Sequence, residues 1–175
     1  DNIAAHPDER YLISVAQDTP VFTNPAKTSP DYAYGQLPLT IAQLIILLCP
    51  DIDPLMLLRL IAGLLSVLLV AVTLRLALSA GNRWTALIAG VTITFAPLML
   101  QHAHYYTVDI WATLFATSAL LAVMRRRWRS AGVLAGFALS CKISMVWAVL
   151  PLVVSVALLT MPEKRWHVKS LLRNR

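Results

Sequence analysis

Five uncharged stretches constrain this chain more than any other feature. No Asp, Glu, Lys or Arg lies in residues 32–50, 60–74, 84–108, 110–124 or 143–162. A helix needs about 20 mostly apolar residues to cross the hydrocarbon core of a bilayer. Only 14% of the 175 residues are charged and 58% are hydrophobic, where a soluble domain has about 25% charged. Disordered, collagen-like and disulfide-rich secreted classes are excluded. The chain reads as an all-α integral membrane protein, a polytopic helical bundle.

Charge then orients it. Residues 1–36 carry Asp1, Asp8, Glu9, Asp18 and Asp31 against Arg10 and Lys27, a net of −3. Residues 125–175 carry ten Lys and Arg against Glu163 alone, a net of +9. The overall +6 is therefore a difference between two faces and no sign of nucleic-acid binding. Short loops rich in Lys and Arg stay cytoplasmic. Arg83, the cluster Arg125, Arg126, Arg127 and Arg129, and a basic tail at 163–175 are expected inside. The acidic loop at 1–36 is expected outside in a multi-pass protein, whose membrane would be the plasma membrane if the source is bacterial.

The same rule sets the helix count. Within the bundle at 37–162, helices are expected at about 37–49, 55–79, 84–101, 107–124, 131–141 and 144–160. A single crossing from 130 to 160 would strand the basic tail outside, so a break is placed near Lys142, Ile143 and Ser144. The loop at 1–36, with Pro7, Pro20, Pro25 and Pro30, is expected to hold one short amphipathic helix. Pro7 suits its first position, and Asp8 and Glu9 its first turn, where carboxylates meet the positive end of the helix dipole. Tyr11, Leu12 and Val15 give it an apolar face suited to the membrane surface. Cys49 and Cys141 have no pairing or metal spacing and read as small packing residues. The chain starts on Asp1 inside a polar stretch and stops after a basic run, so both ends look like interior points of something longer.

Polar groups at membrane depth are costly and usually functional. Asp8 and Glu9 read either as a helix start or as reactive carboxylates. In the run 101–109, Asp109 either caps an inward helix or works in a wet cavity. His102 and His104, two apart, do not share a helix face and make a weak metal motif. With a carboxylate from the outer loop, one of them could ligate a metal or orient a base. Arg59 snorkels to headgroups or meets a ligand. Lys142 at a helix break would suit a phosphate, since irregular backbone at this depth needs protein or a wet cavity around it. Tyr32, Tyr34 and Trp111 read as interfacial or cavity-wall aromatics.

The segment His6-Pro7-Asp8-Glu9-Arg10-Tyr11-Leu12 resembles the first external loop of polyprenyl-phosphate-dependent glycosyltransferases of the C fold class, relatives of protein O-mannosyltransferases and aminoarabinose transferases. Tyr34-Gly35-Gln36-Leu37-Pro38-Leu39 is similar to the end of that loop, and Arg59 with Gly63-Leu64-Leu65-Ser66 to the next span. Residues 101–109 resemble the second external turn. Gly136-Phe137-Ala138-Leu139-Ser140-Cys141-Lys142 is similar to a "GLAxxxK" segment. The match runs in order through nearly the whole chain.

The resemblance implies a glycosyltransferase C-like fold and an enzyme, or a fragment of one, that moves a sugar from a polyprenyl-phosphate lipid to an external acceptor by inverting displacement. It implies a first transmembrane helix ahead of Asp1 and further spans after the tail. It gives Asp8 the part of base, Glu9 that of orienting the acceptor or a metal, and Asp109 and His104 the second wall. Lys142 would hold the phosphate, with Arg59 a weaker partner and Tyr34 on the substrate side. No cofactor is demanded and a divalent metal is left open. Partners would be the sugar lipid, membrane lipids and other membrane subunits, with no nucleic acid. The competing expectation is a truncated, non-catalytic subunit of a larger membrane complex.

Overall fold

The structure is a computed structural model that describes residues 6–160. The expected basic tail at 163–175 and Asp1 lie outside the described residues. Eight α-helices follow in order: α1 Pro7–Asp18, α2 Gln36–Leu48, α3 Pro54–Ala80, α4 Arg83–Phe95, α5 Pro97–His104, α6 Val108–Met124, α7 Trp128–Cys141 and α8 Val146–Thr160. Single 3-10 turns occur at Pro25–Lys27 and Ile143–Met145. The described chain is an all-α membrane fold without strands.

Local chemistry starts several of these helices. His6 caps α1, its Nδ1 accepting from the Asp8 N–H at 3.3 Å, with Pro7 just inside the start. Asp53 caps α3 through the Leu55 N–H, and Pro54 takes the first helical position, where its missing N–H costs nothing. The Asn82 side chain accepts from the Trp84 and Thr85 N–H groups and starts α4.

α3, and the stretch Ile143–Thr160 that includes α8, are long and apolar enough to cross a bilayer. The span expected at 84–101 is instead a pair, α4 and α5, bent by 60°. Pro97 is the cause. It has no N–H for the helical ladder, and its ring pushes Ala96 out of helical geometry to φ −64°, ψ 126°. The segment expected at 131–141 begins three residues earlier, at Trp128. α2, at 13 residues, rises only about 20 Å and falls short of a bilayer core.

α6 is the central helix, packed on α3, α7 and α8, with Ile110, Ala112, Ala119 and Val123 buried. Trp111 stands between Tyr106 and Phe115, and both cysteines are free. The outward faces of α3, α4 and α8 keep large apolar side chains exposed, among them Leu64, Val67, Ile88, Val91, Trp147 and Leu150, as a lipid-facing surface requires. α1 does not spend its apolar face on a membrane surface. Leu12, Val15 and Ala16 are buried with Leu39, Ala42, Leu58, Ala62 and Tyr106 in one core. Gln43, buried on α2, donates to the Thr19 carbonyl at 2.9 Å and ties down the end of α1.

Candidate functional site

Three helix ends converge at one end of the bundle. Asp8 lies in the first turn of α1 and Asp109 in the first turn of α6. Both carboxylates sit where the helix dipole is positive. Lys142 is the residue that ends α7, extended at φ −156°, ψ 123°, so its cation sits at a negative helix end. Its Nζ donates to Asp109 Oδ1 at 2.7 Å, with about a third of each side chain open to the surface. At that exposure the pair adds little stability and mainly sets where the two groups point.

The outer loop joins this pair through Tyr34. Its phenol lies within the electrostatic reach of both Asp8 and Asp109. Burial first, then the interaction with Asp8 and the charge of Asp109, push the Tyr34 phenol up to about 12. Tyr32 is raised by burial and by its phenol neighbours Tyr11 and Tyr34. The three rings pack together, Tyr32 and Tyr34 edge-on at 5.9 Å between centroids.

Gly35 fixes this loop against α7. Its N–H donates to the Cys141 carbonyl at 2.8 Å, and the Tyr32 hydroxyl donates to the Gly35 carbonyl at 3.0 Å. A Cβ at Gly35 would lie 2.0 Å from the Ser140 carbonyl oxygen. Only glycine allows so close a backbone approach, and that approach sets Tyr34 beside the end of α7.

Glu9 is elsewhere. Its side chain is fully buried, turned away from Asp8 into a clamp. Arg59 Nε donates to Oε1 at 3.1 Å and Nη2 to Oε2 at 2.8 Å, and the Tyr106 N–H donates to Oε1 at 2.9 Å. The Tyr106 hydroxyl continues to the Pro38 carbonyl at 2.9 Å. The Arg59 guanidinium lies 5.2 Å from the Tyr105 ring centroid. This network joins α1, α3, the α5–α6 turn and α2. It leaves Glu9 no open face for an acceptor or a metal and pairs Arg59 with a carboxylate.

His104 also departs from the expected wall. It is exposed, its Nδ1 bonded to the Leu100 carbonyl at 2.7 Å, beside a groove lined by Arg59, Gln101 and Tyr105. His102 takes the inner position instead. Its Nδ1 is 2.9 Å from Thr107 Oγ1, and it lies within the electrostatic reach of Asp109, His6, Lys142 and Asp8. The two-residue spacing put the histidines on different faces, and nothing else in the sequence chose between them. His6 is the other group missed, near Asp8 and 5.6 Å from the Tyr105 ring. The Nδ1 of His6 accepts the Asp8 N–H, so its approach to Asp8 Oδ2 at 3.9 Å is not an ion pair through that nitrogen. Of the expected site residues, Asp8, Tyr34, Asp109 and Lys142 are brought together, while Glu9, Arg59 and His104 are not part of that group.

Among the described residues no three His, Cys, Asp or Glu side chains are grouped to hold a metal ion.

An all-helical membrane protein with carboxylates, a lysine and phenols gathered at one end of its bundle fits enzymes that work on membrane-borne substrates. The chain belongs to the dolichyl-phosphate-mannose-protein mannosyltransferase family, whose profile matches residues 37–173. The matched segment contains Arg59, Asp109 and Lys142 and begins just after Tyr34 and Gly35. Comparison with curated proteins and with solved structures found no match. Membership makes this a membrane glycosyltransferase of mannosyltransferase type.

Proposed function

We propose that this chain carries the acceptor-activating and phosphate-holding groups of a glycosyltransferase that takes its sugar from a polyprenyl phosphate. The sugar is mannose by the family's description, the acceptor is a hydroxyl, and the site opens on the non-cytoplasmic face. The single observation that supports this is the Lys142–Asp109 ion pair at 2.7 Å, at the end of the bundle where α1 begins. On this reading Asp8 supplies the proton acceptor and Lys142 the cation.

The chemistry follows from that pairing. A neutral hydroxyl is a weak nucleophile, so Asp8 takes its proton as the oxygen attacks the anomeric carbon. The bond to the phosphate breaks with its electron pair on the phosphate oxygen. Lys142 holds the charge that develops there, and Asp109 keeps the lysine aimed while the phosphate is absent. Tyr34, protonated throughout the physiological range, orients Asp8. One displacement inverts the anomeric centre. The orientation rests on the acidic outer loop and the exposed arginine turn, by the positive-inside bias.

The test is a split of two variants of the full-length protein in membranes, supplied with polyprenyl-phosphate mannose. Asp8→Asn is expected to keep donor binding and to lower the maximal rate by roughly 100-fold or more. Lys142→Gln is expected to weaken donor binding as well. Full transfer by the Asp8→Asn protein would remove the assignment of the base.

A further inference from the structure

We propose that the end of the bundle opposite the cleft binds an anionic phospholipid, with an acyl chain between α7 and α8 and its phosphate on the arginine turn. α6 runs 17 residues from the cleft to this turn, about 25 Å at the helical rise, so the two sites are separate. A cavity of about 430 Å³ opens here, within the range of pockets that bury a small ligand. Its walls are apolar: Val123 of α6, Trp128, Ala131 and Gly132 of α7, and Val153 and Val156 of α8. α8 buries no residue of its own, so the space beside it is not filled by the described chain.

The turn at the mouth argues for the headgroup. α6 ends in a tight reversal. Arg126 is left-handed at φ 56° and the Arg127 N–H returns to the Ala122 carbonyl at 2.8 Å. That reversal sets Arg125, Arg126, Arg127 and Arg129 side by side around Trp128, all exposed. Among the described residues no carboxylate pairs with any of the four. A neutral lipid would fill the apolar space and leave the cations uncompensated, and so would a packed helix. A phosphate above an acyl chain satisfies both halves. Each cation close to an anionic surface favours binding by about fivefold. Trp128 lines the cavity and stays 40% exposed, the position of an indole at a membrane interface.

The test uses the full chain in phosphatidylcholine bilayers doped with phosphatidylglycerol whose acyl chains are brominated, which quench nearby tryptophan. Quenching is expected to exceed that from equally brominated phosphatidylcholine, and the excess is expected to vanish in Trp128→Phe. Replacing Arg125, Arg127 and Arg129 with Gln is expected to weaken the preference by roughly tenfold or more. Gly132→Leu keeps every charge and fills the cavity. A Cβ at Gly132 meets nothing within 4 Å, so this variant starts into open space and serves as a second probe beside the arginine variant, and it too is expected to lose the excess. Equal quenching by the two lipids, or full preference in Gly132→Leu, would overturn the proposal.

Discussion

The carboxylates of Asp8 and Glu9 are neighbours in sequence with opposite environments. Asp8 keeps 42% of its side chain exposed and Glu9 none. A buried carboxylate is stable only when its charge and lone pairs are answered, and Glu9 has a two-pronged arginine and a backbone N–H. Glu9→Gln keeps the shape and removes the charge. It should cost roughly 2–4 kcal/mol, since it removes the charge that faces a partly buried guanidinium and weakens the bond to the Tyr106 N–H. Thermal unfolding in micelles measures it, and adding Arg59→Met should cost less than the two single losses combined. Tyr34 gives a second test. Its phenol ordinarily titrates at 10.0 and is held up to about 12 in the fold. The folded state thus keeps a proton that the unfolded state has lost, so this contribution is complete below pH 10 and disappears as pH rises to about 12. A phenolate absorbance titration compared with Tyr34→Phe should place the midpoint there. Asp8→Asn should lower it by removing one of the causes while burial remains.

At the level of elements, the site depends on how the outer loop meets α7. Gly35 is the point of contact, and Gly35→Ala forces a Cβ into the Ser140 and Cys141 backbone. Overpacking against rigid backbone costs about 1–3 kcal/mol or more. The variant should lose stability in micelles and lose donor binding together, because Tyr34 and Lys142 separate. Wild-type melting and binding in Gly35→Ala would show that the loop is not held this way. The break at Lys142 is written in the sequence, where a lone cation interrupts apolar residues on both sides. The bend at Pro97 is written there too, but a proline inside an apolar run is compatible with a kinked span or with two helices, and hydropathy cannot choose. Gly35 could not be read at all. Its reason is a carbonyl more than 100 residues away, and no local pattern encodes a contact made only after α7 has docked.

For the whole molecule, composition and the uncharged blocks carried the membrane class and the helical architecture, because a bilayer imposes length and apolarity on each crossing. The pairing of Asp109 with Lys142 was legible only through family likeness. The likeness named Asp8, Tyr34, Asp109 and Lys142 together with Glu9, Arg59 and His104; the fold pairs Glu9 with Arg59 and leaves His104 exposed. Sequence alone cannot distinguish a carboxylate that faces a cleft from one that closes a clamp, since both lie in the same first helical turn. The central claim is that the outer-loop carboxylate and the start of α6 share one cleft. The most direct measurement is cross-linking of Asp8→Cys with Asp109→Cys in a background where Cys49 and Cys141 are replaced. It uses a short, membrane-impermeant dithiol reagent on intact cells. Efficient cross-linking of this pair from outside, with none when Asp109→Cys is exchanged for Arg127→Cys, is the predicted result. Failure of Asp8→Cys to join Asp109→Cys, with each cysteine singly labelled from opposite sides of the membrane, would contradict it.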